Sequence, residues 1–110
     1  MTFMPDGRLM VVGGGCSVRG GAYEVASRWV QCWDPREGRK GFEDLADLPV
    51  AVWGASACRV GLAGSVYVSG GTDGENHSRS EVHEYDPRNN TWHAREPLLS
   101  RRWCHGTCAI

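Results

Sequence analysis

The sequence of 110 residues contains no apolar run near the ~18 residues that a membrane-spanning helix needs, so no such span is predicted. Its formal net charge is −1 and no run of like charges exceeds a few residues, which argues against nucleic acid or an acidic membrane as a partner. The first residues have neither a basic lead-in nor an apolar core, so they are not typical of a signal peptide. These absences predict a cytoplasmic or nuclear protein.

A disulfide framework is missing as well. The five cysteines, at positions 16, 32, 58, 104 and 108, are odd in number and lack framework spacing, which favours reduced thiols. Cys104, His105 and Cys108 suggest a metal site, but along a strand the two cysteines share one face and the histidine takes the other. The other cysteines fall in unrelated strands, and zinc needs four converging ligands. We therefore predict neither a metal nor another cofactor.

Catalytic patterns are equally scarce. The four histidines accompany no serine or cysteine nucleophile at a recognisable elbow, and no paired carboxylates occur at catalytic spacing. The glycines at 13–15 lack the Gly-Lys-Ser/Thr ending of a phosphate-binding loop, and no helix is predicted after them. A turn at the end of a strand explains these glycines better, and the sequence predicts a protein that is not an enzyme.

What the chain does contain is an internal repeat. Residues 9–14 (Leu-Met-Val-Val-Gly-Gly) resemble residues 66–71 (Val-Tyr-Val-Ser-Gly-Gly) at an offset of 57. Residues 30–35 and 82–87 both end in an aromatic-Asp-Pro triplet, at an offset of 52. Trp53 and Trp103 are 50 residues apart. A period of about fifty that drifts with loop length indicates repeated supersecondary units.

These features resemble the Kelch repeat, which forms one blade of a β-propeller. The resemblance rests on Gly70-Gly71, Tyr85-Asp86-Pro87, Trp92, and the Arg-x-x-His spacing of Arg102 and His105. It implies an all-β fold of about two four-stranded antiparallel blades in a partial propeller whose ring is not closed. The residues expected to have structural roles are Gly13, Gly14, Trp33, Asp34, Pro35, Gly70, Gly71, Tyr85, Asp86, Pro87 and Trp92.

The resemblance also divides the chain. Residues 1–52 would form a partial blade with strands b to d, with residues 1–4 as a possible strand a. Residues 53–98 would form a complete blade with strand a at 55–60, b at 65–69, c at 81–85 and d from Trp92, whose indole is expected to cover the glycine pair and the neighbouring blade. Residues 99–110 would begin the next blade. Phe42 lies farther from its Asp-Pro than Trp92 does, so strand d of the first blade is expected to be irregular or paired differently.

Because propellers close with 4 to 8 blades, the chain is expected to be a fragment or short isoform of a longer protein. An alternative is the assembly of several copies, and the open blade faces predict self-association.

The resemblance implies protein–protein interaction. It is closest to the BTB-Kelch branch, many of whose members present substrates to cullin-based ubiquitin ligases, although these residues include no BTB domain. Actin or cytoskeletal binding is one alternative, and a propeller enzyme of galactose-oxidase type is another, whose copper ligands would have to come from elsewhere in a ring. In such propellers the bc loops and the entrance to strand a line the ligand face. The candidate partner-binding residues are therefore Ser17, Arg19, Thr72, Asp73, Asn76, Arg79, Ser100, Arg101 and Arg102.

Overall fold

A computed structural model describes residues 1–4, 6–17, 24–60, 64–73, 77–103 and 106, and it omits the side chains of residues 15–17, 24, 25 and 39. In this part of the chain a single 3-10 segment, Pro35–Gly41, accompanies ten β-strands, and no helix is long and apolar enough to cross a membrane. The strands are β1 Thr2–Phe3, β2 Leu9–Val12, β3 Gly15–Ser17, β4 Glu24–Ala26, β5 Val30–Trp33, β6 Phe42–Leu45, β7 Ser56–Val60, β8 Ser65–Ser69, β9 Val82–Asp86 and β10 Thr91–Arg95.

The strands form two four-stranded antiparallel sheets, which confirms the predicted all-β fold. The first sheet has the order β1-β2-β5-β6, and the second has the order β7-β8-β9-β10. In the first sheet, β1 occupies the position expected of a short strand a. β3 and β4 pair as a separate hairpin between β2 and β5, the strands b and c of the first sheet.

Alternation of buried and exposed side chains explains why these segments are strands. In β5, Val30 and Cys32 are buried while their neighbours are partly exposed, and in β9 the buried residues are His83 and Tyr85. A period of two places the buried residues on one face of each sheet. The strand β9 ends at an Asp-Pro turn in which Asn90 adopts a left-handed backbone (φ 53°).

The repeat is also visible in backbone hydrogen bonds at the end of each sheet. The first glycine of each pair donates to the residue just before the third strand of its sheet, and the second glycine donates to a residue that follows the fourth strand. The bonds are Gly13 to Trp29 (2.8 Å) and Gly70 to Glu81 (2.9 Å), then Gly14 to Val52 (2.9 Å) and Gly71 to Arg102 (2.7 Å). The two sheets can therefore be compared residue by residue.

Strand d of the first sheet corrects one expectation. Phe42 stands opposite Trp33, in the register that places Trp92 opposite Tyr85, so the pairing is the same in both sheets. The extra residues are accommodated in the 3-10 segment instead. Asp34 caps this segment by accepting a 3.0 Å hydrogen bond from the backbone N–H of Arg36.

The core lies between the two sheets, where the buried face of each packs against the other. It consists of Met4, Met10, Val30, Cys32, Leu48, Val52, Val66, Val68 and Tyr85. Trp92 packs against this core, and its indole N–H donates at 2.8 Å to the carbonyl of Ala46, the residue that follows the last strand of the first sheet. The expected contact of Trp92 with the neighbouring blade is therefore confirmed.

The expectation that Trp92 also covers the glycine pair is wrong. Trp92 stands opposite Tyr85, and Tyr85 stands opposite Val66, at the far end of β8 from Gly70. The residues near Gly71 are instead Val52, Trp53 and Ala55, because a Cβ at Gly71 would lie 3.1 to 3.2 Å from their atoms. The chain segment that enters β7 thus packs on this glycine.

Candidate functional site

The loop between β8 and β9 is fixed by backbone hydrogen bonds on both sides. Thr72 exchanges hydrogen bonds of 2.9 and 3.0 Å with Trp53 and also forms a bridge with Ser78. The N–H of Arg79 donates to the carbonyl of Gly71 at 2.8 Å. These contacts continue the second sheet past its last regular residues and give the nearby side chains a rigid support.

Three arginines lie at this end of the sheet. Arg79 and Arg102 form a backbone bridge, in which the N–H of Arg102 donates to the carbonyl of Arg79 at 3.0 Å. The side chain of Arg79 makes a long ion pair of 3.7 Å with Glu81, and its buried Nε atom has no acceptor among the described residues. Arg101 and Arg102 are exposed and make no ion pair in the described part of the chain.

Two tryptophans adjoin the arginines. The rings of Trp53 and Trp103 meet edge to face, with centroids 5.0 Å apart at an angle of 71°. Trp103 is 48% exposed, whereas the indole nitrogen of Trp53 is buried and finds no acceptor within the described ranges. We refer to the set Trp53, Arg79, Arg101, Arg102 and Trp103 as the arginine surface.

A hydrogen-bonded pair of side chains fixes the loop beyond Thr72. A ring nitrogen of His77 lies 2.8 Å from a carboxylate oxygen of Asp73, and the backbone N–H of His77 donates to the same side chain at 3.2 Å. His77 is largely exposed while Asp73 is mostly covered. The pair ties the two ends of the loop segment 74–76 together, beside the arginine surface.

The predicted partner-binding residues are only partly brought together. Asp73, Arg79, Ser100, Arg101 and Arg102 lie on or next to the arginine surface. Thr72 is only 4% exposed, so it supports the loop and presents little side chain to solvent. Ser17 ends β3 at the other hairpin, and Arg19 and Asn76 lie outside the described residues.

The two tryptophans were not predicted as part of the surface, although their 50-residue spacing marks equivalent positions in the repeat. Among the described residues, the first sheet has no charged side chain at the two positions equivalent to Arg79 and Arg102. The shared hydrogen bonds align Ser27 with Arg79 and Val52 with Arg102. The same backbone therefore presents a hydroxyl and a buried aliphatic chain where the second sheet presents two arginines.

A separate polar network lies on the outer face of the second sheet. Glu84 accepts hydrogen bonds from Arg95 at 2.8 Å and from the hydroxyl of Tyr67 at 2.9 Å. The hydrogen bond from Arg95 lowers the pKa of the Glu84 carboxyl, against the opposing effect of burial. The carboxylate is thus ionised and fully paired, which suits packing better than acid–base chemistry.

Metal-binding chemistry finds no support in the described ranges, which hold no group of three His, Cys, Asp or Glu side chains close enough to bind an ion. The sequence pattern Cys104, His105 and Cys108 falls outside those ranges. Burial raises the pKa of the Cys32 thiol, although the Nη1 atom of Arg8 lies 3.2 Å from its sulfur. Cys32 is therefore a protonated core residue.

Comparison with known proteins points to one family. A family model described as the Kelch motif matches residues 56–98, from the start of β7 to beyond β10. The chain is 40% identical to an F-box/kelch-repeat protein of Arabidopsis thaliana over 100 residues, which are 89% of this chain and 24% of that protein. It is 38% identical to Kelch-like protein 25 of Xenopus tropicalis over 65 residues, 59% of this chain and 11% of the relative. The chain thus spans at most 24% of either relative's length.

Proposed function

The chain is a member of the Kelch-repeat family, and we propose that it binds partner proteins through the arginine surface. Kelch repeats generally mediate protein–protein interaction. One observation carries the proposal: three arginines, with a single long ion pair to any described residue, lie beside an exposed tryptophan on a backbone that hydrogen bonds fix. Recognition residues on loops supported by a rigid scaffold are the usual arrangement for binding.

The chemistry of this surface indicates what a partner should offer. Arginine binds carboxylates through two parallel hydrogen bonds, and tryptophan and arginine are the residues that most often dominate interface energies. Arg101 and Arg102 have their guanidinium groups available, since no carboxylate among the described residues pairs with them. We infer a partner with an acidic segment next to an apolar side chain that can contact Trp103.

Within a longer protein, we propose that this segment belongs to the substrate-recognition part of a cullin-based ubiquitin-ligase adaptor. The support is the kind of protein that the relatives are, one an F-box/kelch-repeat protein and the other a Kelch-like protein. A different domain would contact the ligase, because the described residues of this chain form the repeats. Neither name is that of an enzyme, and we propose a binding role without catalysis.

We also propose that the protein works in the cytoplasm or nucleus. Free thiols persist in those reducing compartments. Cys32, which is buried, and Cys58, which is partly buried, are both free and support the proposal.

The test compares two charge-matched variants as baits. The purified chain carries a photo-crosslinker and is mixed with cytosolic extract, and the captured proteins are identified by mass spectrometry. The test variant combines Arg79→Gln with Arg102→Gln, and the control combines Arg36→Gln with Lys40→Gln in the exposed 3-10 segment. Each protein captured is then titrated in pure form against wild type and both variants.

We expect the wild type and the control to bind the same partner, and the arginine variant to bind it about tenfold or more weakly. Equal loss of affinity in both variants would mean that net charge alone attracts the partner. Unchanged affinity in the arginine variant would remove the arginine surface from the proposal. Circular dichroism of all three proteins checks that the substitutions leave the fold intact.

A further inference from the structure

The end of the second sheet is built on a closed triangle of backbone hydrogen bonds. The N–H of Gly71 donates to Arg102 at 2.7 Å, that of Arg102 donates to Arg79 at 3.0 Å, and that of Arg79 donates back to Gly71 at 2.8 Å. Two of the three corners are therefore arginines. We refer to Arg79 and Arg102 as the arginine pair.

The first sheet forms the same triangle with uncharged residues at its corners. There Gly14 donates to Val52 at 2.9 Å, Val52 donates to Ser27 at 3.0 Å, and Ser27 donates back to Gly14 at 2.8 Å. A hydroxyl and an aliphatic side chain are thus sufficient to build this turn. Since the turn does not require the arginine pair, the two arginines indicate a binding role.

The arginine pair places two positive charges side by side. Arg79 and Arg102 form an antiparallel bridge. Residues bridged in this way project their side chains on the same side of the backbone, with Cβ atoms about 5 Å apart, and like charges at such positions are destabilising. The arrangement becomes favourable when an anion lies between the two guanidinium groups, because both can then make charge-assisted hydrogen bonds to it.

Arg79 also has a hydrogen-bond donor without an acceptor. Its Nε atom is buried and finds no partner among the described residues. Its Nη1 atom lies 3.7 Å from a carboxylate oxygen of Glu81, which is beyond hydrogen-bond distance, and the Glu81 side chain is 46% exposed. A buried donor left unpaired is unfavourable. A ligand that supplies an acceptor to this Nε atom would therefore remove a cost that the free protein bears.

Charge and oxygen count distinguish between the anions that the arginine pair could bind. A carboxylate has one negative charge and two oxygens, which the two parallel hydrogen bonds of a single guanidinium group already occupy. A phosphate monoester has a charge of about −1.5 to −2 at pH 7 and three strong acceptor oxygens. The phosphate can thus contact two guanidinium groups at once and balance both of their charges.

We propose that the arginine pair binds a phosphoserine or phosphothreonine side chain of the partner protein. This proposal rests on the function proposed above, because it specifies the acidic group that the arginine surface recognises. Arg79 donates to the phosphate through its buried Nε atom, and Arg102, which is exposed, donates through its guanidinium fork. The phosphate is bound reversibly and is not transferred. Capture of the partner then depends on whether that partner is phosphorylated.

Capture from treated extracts is the first test. The chain with its photo-crosslinker is mixed with cytosolic extract that has been dephosphorylated by a phosphatase, or kept phosphorylated by phosphatase inhibitors. Arg79→Lys and Arg102→Lys are the test variants, since lysine keeps the charge but lacks the guanidinium fork. Arg36→Lys is the matched control, because Arg36 pairs with Asp34 at 2.9 Å beside the 3-10 segment of the first sheet. Circular dichroism checks the fold of each variant.

Binding of synthetic peptides is the second test. Three degenerate peptide libraries differ only at the centre, which holds phosphoserine, serine, or a Glu-Glu pair of similar charge. The selected peptides are titrated by fluorescence anisotropy. The phosphoserine form should bind the wild type and Arg36→Lys about tenfold or more tightly than the other two forms, and Arg79→Lys should lose most of this preference. Glu81→Gln should bind the phosphopeptide more tightly, because it removes the carboxylate nearest to Arg79.

The two tests separate failure of this proposal from failure of the proposed function. A partner that is captured equally from both extracts, but lost in the variant with Arg79→Gln and Arg102→Gln, would overturn the phosphate and leave the binding function in place. Equal affinity for the phosphoserine and Glu-Glu peptides would do the same, because charge alone would then decide. Phosphopeptide binding that both lysine variants leave unchanged would place the phosphate elsewhere. Absence of any capture that depends on the arginine pair would overturn both proposals.

Discussion

Truncation of Trp92 should destabilise the fold far more than truncation of Phe42, although the two residues are equivalent in the repeat. Trp92 contacts the core and the ring of Tyr85, and its indole N–H donates to Ala46 at 2.8 Å. Phe42 touches Trp33 alone among aromatic rings in the described residues and is 55% exposed. Because both residues stand at the same position in the fourth strand of their sheets, the comparison measures how much packing against a neighbouring sheet adds to stability.

The magnitudes follow from burial and hydrogen bonding. Truncation of a fully buried tryptophan to alanine lowers the free energy of unfolding by about 3–5 kcal/mol. Because Trp92 is partly exposed, its loss should lie near the lower end of that range. Its hydrogen bond accounts for about 1 kcal/mol of that total. We therefore expect about 3 kcal/mol for Trp92→Ala, about 1 kcal/mol for Trp92→Phe, and below about 1 kcal/mol for Phe42→Ala.

The assay is urea unfolding followed by far-UV circular dichroism, at a protein concentration where a single species sediments. Equal slopes of free energy against urea in all variants are required before the values are compared. If Trp92→Ala and Phe42→Ala cost the same, the second sheet does not pack on the first as described. If Trp92→Phe costs as much as Trp92→Ala, the hydrogen bond outweighs the ring contact.

Three further predictions concern acid stability and the glycine turns. The pKa of Glu84 in the fold lies below its unfolded value of 4.5, so its stabilising effect is complete above about that pH and is lost as the pH falls through the folded value. Urea unfolding between pH 3 and 7 should show this acid loss weakened in Glu84→Gln, and also in Arg95→Gln. Burial lowers the pKa of His83 below its unfolded value of 6.5, so stability should fall as the pH drops below about 6.5, and His83→Gln should remove that part of the slope. Gly13→Ala should cost at least about 1 kcal/mol more than Gly38→Ala. Both glycines have φ near +60°, but a Cβ at Gly13 would lie 2.5 Å from a backbone carbonyl, whereas the space at Gly38 is open.

The strands could be predicted from the sequence because their boundaries depend on local chemistry. The glycine pair ends β8 at Ser69, as predicted, and the Asp-Pro step ends β9 within one residue of the predicted position. Repetition of these signals at offsets of 50 to 57 residues then indicated which strands belong to equivalent sheets. Local turn chemistry and internal spacing together were sufficient for the all-β class.

The errors arose where an outcome depends on contacts distant in sequence. The distance from Pro35 to Phe42 suggested an irregular strand, but the 3-10 segment absorbs the extra length before β6 begins. The contact of Trp92 with Ala46 joins residues 46 positions apart, and the packing on Gly71 comes from the segment before β7. Neither spacing nor propensity reports which element lies over another.

The candidate surface shows why function is harder to predict than fold in a repeat. The backbone hydrogen bonds at the ends of the two sheets are the same, whereas the side chains at equivalent positions differ, with Ser27 and Val52 in one and Arg79 and Arg102 in the other. Selection for the sheet constrains the backbone bonds, so they recur and can be recognised. Side chains that stand above those bonds are free to differ between blades, and a difference between equivalent positions is therefore the better guide to a binding site than the shared pattern. By that criterion the end of the second sheet is the place to test first, because the same scaffold there exchanges a hydroxyl and a buried valine for two arginines.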